Sequence, residues 1–86
     1  MFMQRVMKYV VVLECETYER MYLFPQDEEH RDFAARMGLY PVRAGFVTLM
    51  DGQLSCGGES VSLNLKGDRK ADTRLLNRQI NQDYTP

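Results

Sequence analysis

The sequence predicts an α+β domain of order ββαββα, a four-stranded, mainly antiparallel sheet with two helices packed on one face as a two-layer sandwich. Three observations lead there. Four segments are rich in β-branched or alternating apolar residues, two others repeat apolar residues at helical spacing, and Asp51-Gly52 is a strong hairpin turn signal. The 86 residues make a single domain, 1–86. A chain of this size buries only about 60–65% of its unfolded surface, so pairing with a second copy is a natural way to add buried area.

The first strand covers Val6–Glu14, and its apolar side chains from Tyr9 to Leu13 point to both faces, as in a central strand covered on both sides. Residues 1–6 before it read as a dispensable extension. A short connection at Cys15–Thr17 makes a hairpin with a second strand, Tyr18–Phe24, which Pro25 ends because it lacks a ladder donor. Asp27 is the expected N-cap of a helix over 27–37, with Glu28 and Glu29 favourably placed in its first turn. His30, Phe33, Ala34 and Met37 form the apolar face of that helix, Asp32 and Arg36 an i, i+4 pair, and Gly38 the C-terminal cap.

The third strand is Val42–Met50. A two-residue type I′ turn at Asp51-Gly52 pairs Met50 with Gln53, Leu49 with Leu54, Thr48 with Ser55 and Val47 with Cys56. Val61, Leu63 and Leu65 then alternate with the opposite parity, so a bulge or break is expected at Gly57-Gly58. Gly67 ends the strand, Asp68 caps a second helix, and Ala71, Leu75, Leu76 and Ile80 are its apolar stripe.

With 11 basic and 12 acidic residues the net charge is -1, so any contact with nucleic acid or anionic lipid must come from a local patch. Two cysteines do not make the disulfide framework of a small secreted domain, and the apolar run from Tyr9 to Leu13 is too short for a signal peptide or a membrane span. A cytoplasmic protein without membrane contact is expected.

No catalytic constellation stands out. Cys56 beside Gly57-Gly58 is a thiol-nucleophile candidate with His30 as its base, but the register makes Cys56 a small core residue and His30 borders a helix stripe. Cys15, Cys56 and His30 lack metal-ligand spacing, so neither metal nor cofactor is expected. The acidic start at Asp27, Glu28, Glu29 and Asp32 reads as a capped, solvated helix end. Lys70, Arg74 and Arg78 form a basic stripe, with Lys66 and Arg69 nearby, and are the candidates for nucleic-acid phosphate.

By parity Phe46, Thr48, Met50, Ser55, Ser60, Ser62 and Asn64 point to a sheet face that the helices leave partly bare, and Tyr18, Tyr22 and Phe24 are candidates to join them. Aromatic and hydroxyl residues on an open sheet suit a protein interface, here represented by Tyr18, Tyr22, Phe46, Thr48, Met50 and Ser62.

The segments Ala44-Gly45-Phe46-Val47 and Cys56-Gly57-Gly58-Glu59-Ser60-Val61-Ser62-Leu63, with Asp72 and Leu75-Leu76, resemble small uncharacterised proteins of bacteria and their phages. The resemblance covers about half the chain and carries no catalytic motif. It implies a prokaryotic or phage setting and a compact chain, and it implies no activity. The leading expectation is a non-enzymatic interaction protein that forms a homodimer through an exposed sheet face or edge, with a further protein partner as an option. Nucleic-acid binding is the alternative, and a thiol enzyme using Cys56 comes third.

Overall fold

The computed structural model describes residues 3–83. Its elements are β1 (Met3–Cys15), β2 (Tyr18–Phe24), α1 (His30–Met37), β3 (Arg43–Met50), β4 (Gln53–Gly57), β5 (Glu59–Ser60), β6 (Leu65–Lys66) and α2 (Arg69–Asp83). The main sheet is antiparallel throughout, in the order β2-β1-β3-β4, while β5 and β6 form a separate small hairpin. The mixed α+β class and the ββαββα layout are those the sequence predicts. None of the helices among the described residues is long and apolar enough to cross a membrane.

The helices do not share a face. Tyr9 and Val11 of β1 pack with Met21, Val47 and Cys56 under Leu75 and Leu76 of α2. The intervening Val10 packs with Phe24 and Ala44 against Phe33 of α1. Successive strand residues point to opposite sides, so α1 and α2 cover opposite faces and the expected two-layer arrangement becomes three layers. The cause lies in β1 itself: its buried run from Tyr9 to Val12 has apolar side chains on both sides, and each side needs cover.

Residues 3–6 are part of β1, where Met3, Gln4 and Arg5 pair with Met50, Leu49 and Thr48. Met1 and Phe2 of the proposed extension lie outside the described residues. The β3–β4 hairpin has all four expected residue pairs, and positive φ at Asp51 (51°) and Gly52 (79°) is the type I′ geometry. After Gly57 the chain leaves the sheet. Gly58, at φ 90°, makes the break, and the Gly67 N–H donates to its carbonyl at 2.8 Å to close the β5–β6 excursion.

Residues 61–64 of the expected strand are therefore a turn, and only Leu65 is in a strand, β6: the Asn64 N–H bonds the Val61 carbonyl and the Leu63 N–H bonds Ser60 Oγ, both at 3.2 Å. Local bonds to a buried serine outcompete a ladder here. Val61 points outward, while Leu63 and Leu65 pack on the α1 cluster.

The start of α1 also differs from expectation. Asp27 belongs to a turn closed by the Glu28 N–H on the Pro25 carbonyl, and Glu29 occupies the cap position with no side-chain bond. Ser62, far along the chain, supplies an acceptor to the Arg31 N–H at 3.2 Å. Arg36 pairs with Glu28, at 3.1 Å, rather than with Asp32. Met37 is half-exposed, outside the core stripe. Gly38 is the αL cap as expected, with its N–H on Ala35 and that of Leu39 on Ala34. Asp68 likewise caps α2, accepting from the Ala71 N–H at 3.0 Å.

Side chains of α2 also occupy both outer edges of the sheet. Gln79 accepts from the Met21 N–H at 2.7 Å and donates to its carbonyl at 3.1 Å on β2, and Thr73 Oγ accepts from the Cys56 N–H at 2.9 Å on β4. These bonds satisfy backbone groups that would otherwise template pairing with another chain.

Candidate functional site

The most buried polar feature is a clamp between α2 and the sheet. Asp72 is fully buried and accepts from the Tyr9 hydroxyl, from Arg43 Nε at 2.6 Å and from the Asp68 N–H at 2.8 Å. Arg43 then grips Glu19 through both terminal nitrogens, at 2.7 and 2.8 Å. This fork holds the Glu19 carboxyl below its usual range. Burial, reinforced by Asp72, pushes the Tyr9 phenol far above its ordinary range, so it stays a proton donor. Among the described residues no buried side-chain nitrogen or oxygen lacks a hydrogen-bond partner, and the groups of this cluster bond to one another, which marks a structural network.

Cys56 and His30 are not brought together. Cys56 lies in the α2-side core beside Val47, and burial pushes its thiol up to about 12. At neutral pH it is a thiol rather than a thiolate, which is the inert form. His30 is buried on the other face, where its Nε2 meets the Gly45 carbonyl at 2.9 Å and its ring stands edge-on to Phe24 and Phe46. Among the described residues no cluster of three or more His, Cys, Asp or Glu is placed to hold a metal.

Burial is the main reason the His30 imidazole titrates below its ordinary 6.5. The unfolded chain then takes up a proton that the folded chain refuses once the pH falls below 6.5. Stability is expected to fall from there towards the folded pKa, by at most about 1.4 kcal/mol per pH unit, and to be indifferent to this group above that window. Glu19 acts lower down, its contribution present above 4.5 and lost as the pH falls through its depressed value. Urea titrations at about pH 7.5 and about pH 5.5 check the first window, and His30→Gln should flatten it.

The cationic candidates divide. Arg69, Lys70 and Arg74 line one open groove of about 610 Å³ with Ser55, Thr73 and Asn77, along the β4 edge. Arg78 faces a different cavity, with Tyr18, Glu16 and Glu19. Lys66 stands opposite Glu59 in the β5–β6 ladder and lines neither.

Two cations absent from the sequence-level candidates join the groove from the other side of the sheet. A second cavity shares Ser55 and Arg69 with the first and adds Arg5, Phe46 and Thr48. A third shares Arg5 and Phe46 with the second and adds Lys8 and His30. The result is a band of Lys8, Arg5, Arg69, Lys70 and Arg74 that wraps the β4 edge. Among the described residues, ion pairs engage Arg20, Arg36 and Arg43, and none engages a member of this band. Arg5 instead lies over the Phe46 ring at 4.0 Å, and Lys8 donates to the Glu28 carbonyl at 2.8 Å. Arg5 and Lys8 are separated in sequence from the α2 stripe by some 60 residues, so only the pairing of β1 with β3 and β4 with β3 reveals the band.

The interface candidates do not form one surface. Phe24 is core, stacked on Phe33 at 4.1 Å. Phe46, Thr48 and Met50 are half-buried, with Phe46 under Arg5. Ser60 is buried, Ser62 is engaged with α1, Tyr22 is half-buried and exposed Tyr18 borders the Arg78 cavity. The expected bare face is therefore covered at its Val10 end by α1 and open only towards Thr48 and Met50.

No protein-family model, curated protein or solved structure matches the chain.

Proposed function

We propose that the protein is a non-catalytic, cytoplasmic binding protein that holds nucleic acid by its phosphates along the band Lys8, Arg5, Arg69, Lys70 and Arg74. The supporting observation is the continuity of this groove across three cavities, lined by five cations of which none is in an ion pair among the described residues, with Glu29 and Glu59 confined to the third cavity. Phosphates displace condensed counterions when they meet such cations, so affinity falls with salt in proportion to the number engaged. With all five engaged on a single strand, log K against log salt is expected to slope at about −3.5. Arg69→Glu with Arg74→Glu should weaken binding by more than about tenfold, whereas Arg78→Gln, outside the band, should not. Fluorescence anisotropy with labelled oligonucleotides checks both. Salt-insensitive binding, or none, would overturn the proposal.

Self-association is a second reading with its own observation. The pairing of β2 with β1 begins at Lys8, so the stretch from Met3 to Met7 is laddered to β3 alone. On its open side the Arg5 carbonyl takes a bond from Gln26 Nε2 at 2.7 Å. This is the one long run of β1 without a strand neighbour on that side, and a second copy pairing there would extend the sheet. A homodimer across the micromolar range is the expected result in light scattering, and a monomer throughout would remove this reading.

A further inference from the structure

We infer that the third cavity, between the start of α1, Phe46 and the β5–β6 hairpin, takes one unpaired nucleobase of a strand whose phosphates lie on the band, and that it favours a base rich in N–H donors. The inference rests on the nucleic-acid reading above and adds to it a base site and a strand state.

The cavity measures about 460 Å³, within the range of about 300–1,000 Å³ typical of small-molecule sites. Its floor is a layered pair. Arg5 lies over the Phe46 ring with 4.0 Å between guanidinium carbon and ring centroid, and His30 stands edge-on to the same ring at 5.5 Å and 87°. The buried histidine, anchored on the Gly45 carbonyl, keeps Phe46 from turning, and Phe46 in turn holds the guanidinium. A planar guanidinium supported in this way is a stacking surface for a base, and unpaired bases are bound on such planes. Arg5 is exposed and lines both the second and third cavities, so it is open to a ligand entering from either.

The wall of the cavity differs in charge from the rest of the band. Glu29 and Glu59 line it, and neither is in an ion pair among the described residues. Two carboxylates repel a phosphate, so the backbone track ends at Lys8 and does not run past Glu29 and Glu59. They accept hydrogen bonds from amino and imino groups, as acidic side chains accept from the cytosine amino group. Guanine presents adjacent N–H donors on its pairing edge, while thymine has one imino group and no amino group. In a duplex these edges are already paired, and the base cannot leave the stack without a cost of a few kcal/mol. The cavity thus selects an unpaired base, with guanine ahead of thymine.

The test uses the full chain and labelled oligothymidylates that carry guanine, thymine or an abasic site at one central position, with the matching duplex. The guanine strand is expected to bind on the order of tenfold tighter than the abasic strand and the duplex. Glu59→Gln, at an exposed site, removes a charge that repels phosphate and should raise the affinity of every strand alike, while the ratio of guanine to thymine affinity falls. Equal, salt-sensitive affinity for all four ligands would overturn the base site while leaving the phosphate band standing. No binding to any of them would overturn both. A Glu59→Gln protein with its guanine preference intact would remove the carboxylate wall from the account and overturn the donor selectivity.

Discussion

Asp72→Ala is expected to destabilise the fold by about 3–5 kcal/mol, enough to leave much of a small domain unfolded. The carboxylate is fully buried and takes three donors, from Tyr9, Arg43 and the Asp68 backbone. Its loss strands a part-buried guanidinium with Glu19 alone and leaves the Tyr9 hydroxyl and the Asp68 N–H without their acceptor. The cost is that of leaving these groups unsatisfied in a low-dielectric site, more than the net value of any one bond. Asp72→Asn keeps the volume but turns an amide N–H₂ towards donors, so an intermediate loss is expected. Tyr9→Phe should cost only about 1 kcal/mol, because it removes a donor and leaves Asp72 two others. Urea titrations rank the three variants, with a lower midpoint and an unchanged slope as the signature of lost stability. A loss below about 1 kcal/mol for Asp72→Ala would show that the clamp is not a stabilising network.

Gly45→Ala is expected to cost about 1–3 kcal/mol or more, through crowding rather than conformational strain. A Cβ at Gly45 would meet the Gly57 carbonyl oxygen in hard overlap and would stand 3.0 Å from the Tyr9 hydroxyl. The first neighbour is backbone at the point where β4 leaves the sheet, and it cannot swing aside as a long side chain would. The Gly45 carbonyl also anchors His30, so any shift of β3 is transmitted to the floor of the proposed base site. The mutant should melt lower and, if folded, lose base selectivity before it loses salt-dependent binding. By contrast, Gly52→Ala meets nothing within 4 Å and tests only the left-handed turn conformation.

Local chemistry was readable from the chain wherever neighbours in sequence are also neighbours in space. The Asp51-Gly52 turn carried the whole β3–β4 register, Gly38 and Asp68 their helix caps, and the change of parity after Cys56 the break at Gly57-Gly58. The α2 stripe of Leu75 and Leu76 is core, as its spacing requires. Where the structure departs from the sequence expectation, a distant partner takes the place of the local one. Ser62 serves the α1 start in place of Asp27, and Glu28 holds Arg36 in place of Asp32. The two-sided apolar run of β1 calls for cover on both faces of the sheet, but which helix takes which face is set by contacts between distant segments.

The candidate site was only partly legible. Arg69, Lys70 and Arg74 stand on one helix, and their periodicity places them together; Arg5 and Lys8 join them through the antiparallel pairing of β1 to β3 and β3 to β4, a non-local arrangement that no spacing encodes. Nothing in the sequence around Asp72 announces that it is the most buried acid among the described residues. By itself, then, the sequence determined the element order, the hairpin register, the C-terminal cap of α1 and the N-cap of α2, because turns, caps and alternating faces are decided by interactions within a few residues. Tertiary structure alone decided which face each helix covers, which charges are clamped and which remain open, because these depend on desolvation and pairing between segments the chain holds far apart.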